Sequence, residues 1–124
     1  TVSCWGDNGF GQVHPGVPGG QYSLRKVTGL TNVNRLFCGT NHSCALGLDG
    51  QTIRCWGDNS SGQLGGEPDA DGIAQVTVLP PLDVEQMAAG DNFTCALANG
   101  NHGIRSCGEN PACIIGADAI IHQA

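Results

Sequence analysis

Cysteines, histidines and acidic side chains are the residues of this 124-residue chain whose types and spacing could support chemistry. Cysteines stand at 4, 38, 44, 55, 95, 107 and 113. Five residues separate Cys38 from Cys44 and Cys107 from Cys113, and His42 lies inside the first interval. Structural zinc sites use two tighter clusters of the form C-x2-4-C, so the spacing predicts no metal and no cofactor. A cysteine nucleophile needs a histidine partner in a recognisable signature. None occurs, so no catalytic residue is assigned and the chain is read as a non-enzyme.

The remaining polar motifs are equally plain. His14, His42, His102 and His122 show no ligand spacing. Glu67, Asp69 and Asp71 alternate in GGEPDADG, but a calcium loop needs D-x-[DN]-x-[DN]-G and a glutamate at its twelfth position. A solvated acidic loop is expected there. Neither G-x-G-x-x-G nor G-x-x-x-x-G-K-[ST] occurs, so the glycines cradle no phosphate. Asn41, Asn59 and Asn92 each begin an N-x-[ST] acceptor sequence for N-linked glycans, whereas Asn110 is excluded by Pro111.

Composition narrows the class of molecule. Five Lys and Arg against eleven Asp and Glu give a net charge of −6, and the clustered basic surface that grips phosphate backbones is missing. Nucleic acid is not an expected partner. No stretch approaches the roughly 18 apolar residues of a membrane span, so this segment is not expected to insert. Gly 20 and Pro 6 beside 5% aromatics predict many turns and short strands.

The elements that position these residues emerge from an internal repeat. A shift of 51 places CWGDNGFGQV (4–13) over CWGDNSSGQL (55–64), then over the degenerate SCGENPACII (106–115). The same shift lays CGTNHSCAL (38–46) over AGDNFTCAL (89–97), and Asn32–Phe37 over Asp83–Ala88. Asn41 and Asn92 thus share one repeat position and are the favoured sequons. The segments 14–31 and 65–82 are the variable part of each unit. Short apolar runs at 35–38, 43–48 and 52–56 read as strands, Asp49-Gly50 as a hairpin turn, and 74–79 as a further strand. Three or four strands per unit is the arithmetic of a β-propeller blade.

Gly-x-x-His-x-Cys-Ala-Leu, a hairpin, then Cys-Trp-Gly-Asp-Asn-x-x-Gly-Gln-Leu-Gly resembles the repeat of the regulator of chromosome condensation family. The resemblance covers essentially the whole chain and implies an all-β fold of propeller blades. By phase, 1–13 ends a preceding blade, 14–64 and 65–115 are blades, and 116–124 starts another. About two and a half blades form an open arc, so the segment is expected to belong to a longer polypeptide or to pack against other copies.

Repeat and hairpin together organise the cysteines. Cys44 and Cys55 flank the Asp-Gly turn, where paired strands bring Cβ atoms to the ~3.5–4.5 Å of a disulfide. Cys95 matches Cys44, but Ser106 matches Cys55 and Cys107 follows it, so a Cys95–Cys107 bridge is expected through a one-residue bulge. Cys4 matches Cys55, with a partner expected in a preceding blade. For Cys38 and Cys113, either a mutual bridge or intermolecular bonds fit. Disulfides and sequons imply an extracellular or secreted protein. The function expected is a non-catalytic structural or interaction module for protein–protein assembly with other blades or subunits, in a surface or filamentous setting. The alternatives are a carbohydrate- or protein-ligand-binding propeller, and the guanine nucleotide exchange or chromatin binding that the resemblance implies.

Overall fold

The computed structural model describes residues 1–77, 84–98 and 104–108. They form nine strands: β1 (Ser3–Asp7), β2 (Gln21–Lys26), β3 (Val33–Cys38), β4 (His42–Gly47), β5 (Thr52–Gly57), β6 (Ile73–Thr77), β7 (Val84–Ala89), β8 (Phe93–Ala98) and β9 (Ile104–Gly108). Three antiparallel sheets result, in the orders β1-β2, β3-β4-β5-β6 and β7-β8-β9. The architecture is all-β, as the repeat implied.

Alternation along the strands explains how the sheets stack, because successive side chains point to opposite faces. On one face of the middle sheet Cys44, Leu46, Ile53, Cys55 and Ala74 form a buried cluster with Val84, Met87 and Ala96 of the third sheet. On the other face Ala45, Trp56 and Ile73 cluster with Val2, Val27 and Leu30, which flank the strands of the first. β4 is therefore buried on both sides, with only Ser43 half-exposed. The core lies between blades rather than within one.

The β4–β5 hairpin has a particular turn. The Gly50 N–H donates to Gly47 O at 3.0 Å, and Gly50 takes φ +75°. Leu48 and Asp49 thus occupy the centre of the turn, and the glycine supplies the left-handed residue that follows. The Asp49 carboxylate fastens the loop, accepting from Gln51 N–H and Thr52 N–H at 2.9 Å each and from the Thr52 hydroxyl at 2.6 Å.

Two features differ from the sequence expectation. The middle sheet runs from Val33 to Thr77, so a boundary between residues 64 and 65 cuts through one sheet. A repeat has a period but no intrinsic origin; hydrogen bonding sets where each sheet begins. The bulge expected between Cys95 and Cys107 is also absent from the β8–β9 ladder, which sets Ser106 opposite Cys95 and Cys107 opposite Thr94. The irregularities of the described ladders fall instead between Cys4 and Gly6, between Val33 and Arg35 and between Val84 and Gln86, the last two being equivalent places one repeat apart.

Candidate functional site

The turn after each Cys-Trp-Gly is built twice with the same bonds. Asp7 Oδ1 accepts Gly9 N–H and Asp58 Oδ1 accepts Ser60 N–H, both at 3.0 Å. Asn8 Oδ1 accepts Val13 N–H (2.9 Å) and His14 N–H (2.7 Å), and Asn59 Oδ1 accepts Leu64 N–H (3.0 Å). Gln12 Oε1 accepts Phe10 N–H (2.8 Å), and Gln63 Oε1 accepts Ser61 N–H (2.9 Å). Each polar side chain caps backbone N–H groups that a tight loop leaves without ladder partners. The motif Asp-Asn-x-x-Gly-Gln is thus a self-satisfying turn.

Its carbonyl end joins blade to blade. Gln12 O accepts the Trp56 indole N–H at 2.9 Å and the Ser43 hydroxyl at 3.3 Å. One repeat later, Gln63 O accepts the Thr94 hydroxyl at 2.9 Å. That hydroxyl has a single proton, so it accepts from His42 Nε2–H at 2.8 Å. His42 is 1% exposed, and its Nδ1 is buried without a partner. Burial lowers the His42 pKa, against a smaller opposing pull from the Asp58 carboxylate and the Phe93 backbone. Burial favours the neutral imidazole, which ties β4 of one sheet to β8 of the next.

Geometry also explains the glycine three residues before it. A Cβ on Gly39 would collide with the His42 ring, and a Cβ on Gly90 would collide with the ring of Phe93. Histidine and phenylalanine at this repeat position therefore share one steric role: a planar ring laid over a glycine.

The predicted site residues scatter over this frame. Cys44 and Cys55 lie directly opposite and form a disulfide, with Cα atoms 4.1 Å apart. Cys4 is a half-buried thiol and Cys38 an exposed one; both border a groove of about 520 Å³ between the first two sheets. Burial, then charge on Cys38, raises the Cys4 pKa. Cys95 is half-buried. Cys113 and the side chain of Cys107 fall outside the described residues. Asn41 and Asn92 are half-buried. Asn59 spends both ends of its amide on the turn, since Nδ2 also donates to Gly66 O at 3.3 Å. Asp69 closes its own loop by accepting Asp71 N–H (2.8 Å) and Ile73 N–H (3.0 Å).

Two surface features escaped the sequence reading. Trp56 is 0% exposed, packed against the preceding sheet, whereas its repeat equivalent Trp5, in the first sheet of this chain, is 69% exposed. In the variable segment 14–31, Gln21–Lys26 is a strand, and it carries a braced cationic cluster. Arg25 donates to His14 Nε2 at 3.0 Å and lies 5.6 Å above the Tyr22 ring, while His14 Nδ1 meets the Tyr22 hydroxyl at 3.3 Å. No repeated signal marks this cluster, and a single sequence offers no other.

Regulator of chromosome condensation (RCC1) repeat models match residues 33–63 and 55–97. Among solved structures, Prp20p from Saccharomyces cerevisiae is similar at 23% identity and a TM-score of 0.72, over 90% of this chain and 30% of that one. Yeast RCC1 (Prp20) bound to Kap60 is similar at 23% identity and a TM-score of 0.65, over 84% and 24%. Human WBSCR16 is similar at 21% identity and a TM-score of 0.68, over 93% and 31%. The chain thus spans less than a third of each of these structures, and at such identities they speak for the fold alone. The doubled turn, the interblade carbonyl joint and the two matched repeats together place the chain in the regulator of chromosome condensation repeat family.

Proposed function

We propose that the chain is a non-catalytic propeller module for protein–protein assembly, working outside the cell with its hairpin stapled by Cys44–Cys55. The observation that carries this reading is Trp5. Its equivalent, Trp56, is fully buried against the neighbouring blade and hydrogen-bonded to Gln12 O, whereas Trp5 is 69% exposed. Trp5 offers an outside surface the same apolar and N–H chemistry that Trp56 uses inside. Leu36, 51% exposed, borders the same groove, and apolar patches of this kind mark interaction sites. The partners are other blades of a longer chain or other subunits. The yeast relative has described binding properties to Gsp1p and histones and has been captured with Kap60; protein partners are thus a precedent within this fold.

The hydrogen-bonding side chains of the repeat are committed to turns and joints, which supports a scaffold over an enzyme. The disulfide, the sequons at Asn41 and Asn92 and the acidic charge support a secreted setting. The test is photo-crosslinking from position 5 in protein made by its own cells, read by mass spectrometry. Adducts to another polypeptide, or to chain beyond these 124 residues, are expected; adducts confined to residues 1–124 overturn the assembly reading. Intact mass with and without reduction and deglycosylation tests the compartment, and a fully reduced, unmodified chain would sink it.

A further inference from the structure

Among the described residues β2 pairs with β1 alone, through one side and with a register shift that sets Ser23 and Leu24 between the Tyr22 and Arg25 pairings. An edge strand presents unpaired N–H and C=O groups to any extended chain that reaches it. This edge has its own chemistry. Leu24 is 71% exposed, and Arg25 and Lys26 follow it in a chain with only five Lys and Arg. The Arg25 guanidinium is braced by His14 and the Tyr22 ring rather than by a carboxylate. Beside the strand end is a recess of about 320 Å³, bordered by His14, Arg25, Lys26 and Thr28 and, from the next loop, by Asp71. Its far wall is fixed by backbone contact, because a Cβ on Gly72 would run into Gly16. The other described sheet-edge strand of this type, β6 (Ile73–Thr77), carries no cation.

We propose that the free edge of β2 receives an extended acidic segment of a partner protein as an added strand, with a carboxylate seated beside Arg25 and Lys26. This names a partner class for the assembly reading and rests on it, but through a surface separate from Trp5. Main-chain hydrogen bonds on either side of the irregularity at Ser23 and Leu24 supply sequence-independent affinity, and Leu24 offers an apolar contact. The cations select acidic partners over other strands, and they oppose pairing of β2 with a second β2 by like-charge repulsion. Arg25 is half-buried and held by its brace, so little side-chain entropy is lost when it meets a carboxylate. Among the described residues Asp71 is the one acidic group on the recess, and it disfavours the proposed ligand.

The experiment is an NMR titration of the intact chain with a short synthetic peptide alternating valine with glutamate, and with the same peptide carrying glutamine. Perturbed amides confined to Gln21–Lys26 and the recess are expected. Binding should weaken about tenfold or more with the glutamine peptide and with Lys26→Gln, weaken with salt, and tighten with Asp71→Asn. Lys26 is exposed, so its replacement leaves the fold in place; Arg25→Gln is the second variant, with spectra checked for an intact core. Equal binding of both peptides, perturbations elsewhere, or weaker binding by Asp71→Asn would overturn the proposal. Failure here with successful crosslinking from position 5 removes the β2 edge as the docking surface and leaves the assembly reading standing.

Discussion

His42 and Phe93 occupy one repeat position with different chemistry, and the comparison predicts how each residue behaves. Both rings cover a glycine, so His42→Phe keeps the steric role and removes the orphaned Nδ1 along with the bond to Thr94. A net change within about 1 kcal/mol at pH 7 is expected. The pH dependence should change more. The folded-state pKa lies below the ordinary 6.5, so the unfolded chain takes up a proton first as pH falls. Stability present above about pH 6.5 is then lost toward the folded pKa. Thermal melts at pH 7 and pH 5 should show a drop in the native protein and a smaller one in His42→Phe. Gly39→Ala should cost about 1–3 kcal/mol by overpacking, partly recovered when His42→Ala vacates the ring. Gly66, with nothing within 4 Å of a Cβ and no positive φ, should accept alanine within about 0.5 kcal/mol. Chemical denaturation of the three variants checks the contrast.

At the scale of elements, the hairpin and the turn are the units that were most legible. Cys44 and Cys55 could be paired from the hairpin spacing, and the ladder sets them opposite each other. Their separation of 11 residues gives a stabilisation of about 2–3 kcal/mol in the loop-entropy account. Reduction should lower the denaturation midpoint accordingly, without loss of the sheet signal. The Asp49 carboxyl is pulled down to about 2, first by the Thr52 hydroxyl and then by the Gln51 and Thr52 amides. A depressed carboxyl contributes stability above its unfolded value of 3.8, and that contribution is lost as pH falls toward 2. An NMR titration should find Asp49 ionised at pH 3, and Thr52→Val should move its midpoint upward. Replacing Asn8 with alanine removes four bonds to a fully buried amide. A loss of about 1–3 kcal/mol is expected, because the Val13 N–H is left buried without its partner.

For the whole molecule, the joints between blades carry the cohesion. Trp56 fills one joint and is 0% exposed, so Trp56→Ala should cost about 3–5 kcal/mol. Trp5→Ala should leave the melting temperature nearly unchanged while abolishing crosslinks from neighbouring positions to a partner. Equal destabilisation by the two substitutions would show that Trp5 is structural in the assembled protein.

The 51-residue period, the strand-rich composition and the Asp-Gly step were sufficient by themselves to determine an all-β repeat fold and one disulfide, while the Gly-x-x-His-x-Cys-Ala-Leu and Cys-Trp-Gly-Asp-Asn motifs carried the resemblance to its family. These depend on local patterning: apolar alternation, turn residues and near-neighbour spacing leave direct marks in a sequence. Only the tertiary structure decided that sheets cross the repeat boundary, that β8 and β9 pair without a bulge, that one of two matched tryptophans is exposed, and that His14, Tyr22 and Arg25 converge. Each depends on which strands bond and which faces meet. Those are non-local choices, made by hydrogen bonding and burial between segments far apart in the chain.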